Sequence, residues 1–244
     1  METRGGAAAG PGLGPAARPG PATGTAIAST GRREIIPGVE AEAHRELMAA
    51  AIAREEIAHR AALAGELEAS RAAFRDAAAS YRASWESASP TSFGRLVGML
   101  KAAILAGDAA DEAAYVERTL AGGDATSPTA AYAQAIAGLV LGDDRRAAEW
   151  ARSMRGASPA FERTATAILA LAAADAAAYR TAVEEIVGDF ASRESHLTGV
   201  PIADTALMLE ELARPRGLAV GLDGPLTPRL TPSPGHPGPA PGQR

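Results

Sequence analysis

The chain has 244 residues, a formal net charge of -5, 4% aromatic residues and no cysteine. Without cysteine there is no disulfide, thiolate zinc site or cysteine nucleophile, and with so few aromatics the core must be built from Ala, Leu, Ile and Val. Residues 40–213 hold 16 basic and 26 acidic side chains, a balance of -10 that the two arms bring back to -5, so the globule lacks the basic face that nonspecific nucleic-acid binding requires.

Residues 1–36 are rich in Gly, Ala and Pro, with Pro11, Pro15, Pro19 and Pro21 close together and no apolar period. The expectation is a disordered arm. No continuous apolar run follows Arg4 and none reaches the ~18 residues of a membrane span, so a cytoplasmic protein with no membrane partner is expected. Lysine occurs once, at Lys101, and asparagine not at all; with abundant Ala, Gly and Arg this reads as a GC-rich, bacterial source.

Residues 37–88 read as one long helix. A stripe runs Met48, Ile52, Glu56, His59, Leu63, Leu67, Ser70, Phe74, Ala78, Tyr81, Trp85 in steps of three and four. Unbroken, it would be about 65–70 Å long. Gly65 is the one plausible break, giving two helices in line. Glu56, His59 and Ser70 interrupt the stripe, so its first half is expected to project or to pair with a second copy, a homodimer through 40–85.

Residues 89–222 read as helical hairpins. Ser-Pro pairs at Ser89-Pro90, Ser127-Pro128 and Ser158-Pro159 mark helix starts: the serine caps an orphan N–H and the proline lacks one. The first hairpin spans 91–106 and 109–121 about Gly107-Asp108. The second runs from Ser127 to Leu141, turns at Gly142-Asp143 and ends near Met154. The third spans 159–173 and 175–192, with Asp175 but no glycine at its turn. A last helix follows Pro201 through Ile202, Leu207, Leu209 and Leu212, and is expected to cap the array on 175–192 near Val183, Ile186 and Phe190, with Glu210 facing water. The tail 223–244 is Pro/Gly-rich and is expected to be disordered.

Gly142-Asp143-Asp144-Arg145-Arg146-Ala147-Ala148-Glu149-Trp150, with Pro159 twelve positions after Ala147, resembles the second half of a tetratricopeptide repeat. Gly107-Asp108 with Tyr115 and Asp175 with Tyr179 are looser echoes, and Tyr132 and Gly138 match the first half in part. The likeness covers 89–193 and implies an all-α array of antiparallel hairpins that binds a protein or peptide. A weaker likeness, in the order Tyr179 to Phe190, Glu194-Ser195-His196 and Ala203 to Leu212, is to the all-helical immunity proteins of bacterial polymorphic toxin systems. It implies a toxin-neutralising binder.

Three constellations could carry chemistry. Glu56-x-x-His59 has the spacing of a di-iron helix, but no second such pair exists, and a solvated face is the plainer reading. Ser195, His196 and Asp204 supply the residue types of a triad without a nucleophile elbow or oxyanion loop. Arg193, Glu194, His196 and Asp204 otherwise form a loop and a first helical turn, expected to be a partner-binding surface. No phosphate loop, metal set or cofactor motif is present. The expectation is a non-enzymatic binder of another protein or peptide, basic if it complements the acidic globule. The alternatives are the immunity protein and a small helical enzyme using His196 and nearby carboxylates.

Overall fold

A computed structural model describes residues 37–121 and 127–230, with side chains from Glu42 onward. The arm 1–36 and the tail beyond 230 lie outside the described residues. Nine α-helices appear among those described: α1 Pro37–Leu63, α2 Leu67–Glu86, α3 Gly94–Ala106, α4 Ala110–Leu120, α5 Pro128–Leu141, α6 Asp144–Ser153, α7 Pro159–Ala172, α8 Ala176–Ala191 and α9 Asp204–Ala213. They pack mostly in sequential neighbours, as hairpins do.

The segment 37–88 is not continuous. Gly65 sits at φ +75 and Glu66 N–H donates back to Ala61 O at 2.9 Å, a left-handed helix stop after which the chain reverses. α1 and α2 are antiparallel: Ser70 Oγ donates to Ala58 O, Tyr81 Oη to Glu55 and Ser84 Oγ to His44 O. The buried face of α1 runs through Ala51, Glu55, Ala58 and Ala62, one position off the expected stripe, which it shares only at His59. Ile57 and Leu63 are exposed instead. Alanine lets the two backbones close together, and the larger side chains are turned out. The first half of the segment thus packs against α2 within one chain rather than projecting from it.

The hairpin turns follow the sequence. Gly107 and Gly142 have φ +88 and +78, and Asp108 and Asp143 N–H donate to Ala103 and Gly138 O. Asp143 and Asp175 cap α6 and α8 through Arg146 N and Ala178 N, each at 3.0 Å. Gly138 faces Ala147 so closely that a Cβ would stand 3.0 Å from Ala147 N; the small pair lets α5 and α6 touch. The first hairpin starts later than expected, at Gly94, with Phe93 stacked on Trp85. The third turn solves the reversal without glycine: Ala174 takes φ +54, the one non-glycine residue in that region among those described.

Two expectations about the chain's end are corrected. The last helix does touch α8, but it also packs on α3 and α7, with Met208 and Leu209 fully buried. It closes the array back onto its first hairpin. Glu210 does not face water: it is buried, accepts from Tyr179 Oη at 2.8 Å, and takes Val220 N–H and Gly221 N–H. That carboxylate pins the chain leaving α9, and the first residues of the supposed disordered tail are packed. Thr227 and Leu230 are buried, Leu226 O accepts from Ala203 N, and Arg71 donates to Leu230 O.

Ala174→Gly should therefore raise stability by about 1 kcal/mol, because it removes a left-handed Cβ clash. Gly142→Ala should lower stability by a similar amount. Thermal unfolding of both variants checks the pair of signs. Ending the chain at residue 222 should lower the melting temperature by several degrees, since it uncovers the sites of Leu226, Thr227 and Leu230; an unchanged melting temperature would show that the packed tail carries no stability.

Candidate functional site

The loop Ser192–Ala203 crosses from α8 to α9 over a partly enclosed cavity of about 340 Å³. Its wall is assembled from far-apart segments. α1 supplies Glu55 and His59, α3 Gly94, Val97 and Lys101, α5 Thr129 and Tyr132, α7 Ala160, Phe161, Arg163 and Thr164, α8 Ile186, Asp189 and Phe190, and the loop with α9 the rest. The volume lies at the lower end for small-ligand sites, and an apolar wall with a few convergent polar groups is their usual form.

Lys101 and Asp204 form an ion pair in this wall. The Lys101 ammonium donates to Asp204 Oδ2 and, at 3.2 Å, to Thr205 Oγ1, while Asp204 Oδ1 accepts Thr205 N–H. Burial alone would push the lysine down; the Asp204 carboxylate outweighs it, and its pKa is raised. Burial alone would raise Asp204; Lys101 outweighs that, and the carboxyl is held low. At the opposite wall Asp189 accepts from both Arg163 and Arg193, and Arg193 lies 3.7 Å over the Phe190 ring.

Glu55 and His59 are different. Burial pushes Glu55 up to about 7, against the hydrogen bond from Tyr81 at 2.7 Å. Burial pushes His59 down to about 4, so the ring is neutral at physiological pH; its Nδ1 meets Thr198 Oγ1 at 3.0 Å. His59 Nε2 and His196 Nδ1 are buried without a partner, as is Tyr132 Oη, near Thr205 but outside hydrogen-bond geometry. A buried polar atom left unpaired costs about 1–3 kcal/mol, and three of them line one cavity.

Of the residues expected to form the partner surface, Arg193, His196 and Asp204 line the cavity. Glu194 is exposed beside it and does not. Asp204 is no free first-turn charge, since it is half-buried and paired with Lys101. Ser195 is exposed and His196 stacks on Phe190; among the described residues no hydrogen bond joins Ser195, His196 and Asp204, so no triad is assembled. Glu56 pairs on the surface with Arg60 while His59 points inward, which separates the Glu-x-x-His pair. Among the described residues no three His, Asp or Glu side chains come together as a metal-binding group. Sequence reading missed Glu55, Lys101 and Tyr132. Lys101 carried a signal, as the single lysine inside an apolar helix; Glu55 did so only once the α1 face shifted by one position.

These features define a class: an all-helical protein of neighbouring packed hairpins with a polar pocket where the last helix returns to the first hairpin. Compared with family models, with curated proteins and with solved structures, the chain finds no match.

Glu55 and His59 titrate with opposite effects on stability. Glu55 is raised from 4.5 to about 7, so its contribution is present below 4.5 and lost as pH rises through 7. His59 is lowered from 6.5 to about 4, so its contribution is present above 6.5 and lost as pH falls through 4. In wild type the two slopes largely cancel between these limits. Glu55→Gln should unmask a stability that rises from pH 4 to 6.5, and His59→Gln one that falls from pH 4.5 to 7. Urea denaturation across pH reads both slopes.

Proposed function

We propose that this chain is a non-enzymatic binding protein, and that the pocket under the 193–204 loop is where it takes a compact polar group of its partner, a protein or peptide. One observation carries the reading: a preformed cavity whose wall holds buried polar atoms without partners. Binding would satisfy them. The mouth suits insertion from outside, since Leu197 at its edge is 70% exposed and Arg193 and Ala160 beside it are exposed too. The tetratricopeptide-like segment 142–159 agrees with a hairpin array that serves recognition, and the acidic balance agrees with a basic partner. No described helix is long and apolar enough to cross a membrane, which accords with the cytoplasm of a GC-rich bacterium.

A plug tests the site. Ala160 is an exposed residue of the pocket wall in the first turn of α7, so Ala160→Trp should fold normally and fill the mouth. Peptides selected on the wild-type protein from a display library should lose about tenfold or more in affinity for it. Selected peptides that bind both proteins alike would move recognition away from the pocket.

A further inference from the structure

Three carboxylates line the pocket, and they differ in what answers them. Asp204 has Lys101, and Asp189 has Arg163 and Arg193. Among the described residues Glu55 has no cation in pairing distance. It is 5% exposed, Tyr81 donates to its Oε2, and among the described residues no donor reaches Oε1. Lys101, the cation that acts on it electrostatically, is already held by Asp204 and Thr205. A buried carboxylate so placed must either keep its proton or meet a cation from outside.

We propose that Glu55 is the counter-ion for a ligand's cationic group, and that the pocket takes an ammonium or guanidinium on a short aliphatic stem. The stem belongs either to a free amine or to a Lys or Arg side chain of a basic peptide. The inference rests on the pocket being the recognition site. The remaining wall fits that chemistry. Tyr132 and Phe161 meet edge to face at 6.2 Å and offer aromatic surface to an alkylammonium. His59 is neutral and does not compete as a cation; in the tautomer whose Nδ1–H donates to Thr198, its unpartnered Nε2 presents a lone pair. The volume equals about eleven waters at ~30 Å³ each, enough for a butylammonium-sized stem and its head. The excess positive charge of the Arg163–Asp189–Arg193 group sits with Arg193, which is exposed and turned onto Phe190, so it lies at the rim. There it would favour a stem that is apolar along its length and charged only at its inner end.

The binding reaction has a proton signature. With Glu55 near half-protonated at pH 7, a bound cation fixes the carboxylate, and up to about half a proton is released.

Calorimetric titration of the full chain at pH 7 with n-butylammonium chloride is the test. Sodium butyrate serves as the control, and an acetylated pentapeptide with one central lysine as the second source. Butylammonium should bind in the millimolar range and butyrate at least about tenfold more weakly. Repeating the titration in two buffers of different ionisation enthalpy should show the proton release. Glu55→Gln keeps the shape and an acceptor for Tyr81, and should lose about tenfold or more in butylammonium affinity with unchanged helicity. Tighter binding of the peptide would assign a lysine side chain and tighter binding of the amine a small molecule; either supports the proposal. Equal binding by Glu55→Gln, absence of proton release, or no binding of any cationic probe would overturn it. Preference for butyrate that Ala160→Trp abolishes would overturn the cation assignment and leave the pocket as the recognition site. Butylammonium binding that Ala160→Trp does not weaken would overturn both.

Discussion

The contact on which the tertiary arrangement turns is the pair of Lys101 and Asp204, between α3 and α9. A hairpin array packed only on sequential neighbours leaves its last face open. Here the last helix is drawn back to the first hairpin, and the chain's single lysine meets a carboxylate 103 positions later. Both groups are half-buried, so removing one partner leaves the other poorly solvated and costs less than the about 3–5 kcal/mol of a fully buried pair, whereas an apolar replacement of both can be neutral. The pair is thus a weak source of net stability and a strong source of specificity. It fixes which face of α9 meets α3, and with it the position of the 192–203 loop over the cavity. Glu210, one helix face away, does the same work on the other side: it holds Tyr179 of α8 and the backbone at 220–221.

The second constraint is the shortage of large side chains. Alanine contacts contribute little area each, so the helices must come close, and closeness is steric. Gly98 lies against the Tyr81 ring, where a Cβ would stand 2.7 Å from Cε1, and Gly138 lies against Ala147. In the first case the close approach of α2 and α3 places Tyr81 where its hydroxyl reaches Glu55. Packing and site are therefore one arrangement: overfilling position 98 would push on the residue that holds the pocket's unpaired carboxylate.

Much of the fold was legible because its signals are local. Ser158 and Asp175 at helix starts, Gly107 and Gly142 at reversals, and the stripe from Ser70 to Trp85 each act within one turn of helix, and each is where sequence reading puts it. Three things were not legible, for three physical reasons. The stop at Gly65 needed the decision that a lone glycine ends a helix rather than weakening it, which depends on α2 having α1 to fold against. The true face of α1 runs through Ala51, Ala58 and Ala62, and alanine is nearly silent in a hydrophobic pattern. The burial of Glu210 and Asp204 is set by partners 31 and 103 positions away, so a first-turn charge and a solvated glutamate were the natural local readings. The 193–204 loop was recognisable as a surface by its polar break, but the cavity under it exists only through α1, α3 and α5.

Of the polar interruptions of the first stripe, His59 and Ser70 are buried, while Glu56 pairs with Arg60 on the surface and Glu55, beside it, takes the inner place. An α1–α2 pair could be closed by alanine alone, yet it buries Glu55, His59 and Ser70 in the same interface. Ser70 is satisfied by Ala58 O at 2.9 Å, and its presence needs nothing further. Glu55 and His59 are only half satisfied, one by Tyr81 and the other by Thr198, and each pays in proton affinity: the acid is pushed toward its neutral form and the base kept in its neutral form. Apolar residues at these two positions would remove those penalties. The structure therefore gathers most of its local frustration at one cavity, whose wall draws on six helices and a loop; among the described residues Gln134 Oε1 and Arg216 Nε are the other buried polar atoms without a partner. Features of this kind concentrate where function opposes stability. The cavity stands out through Glu55 and His59, not through the tetratricopeptide-like turn that the sequence displays most openly.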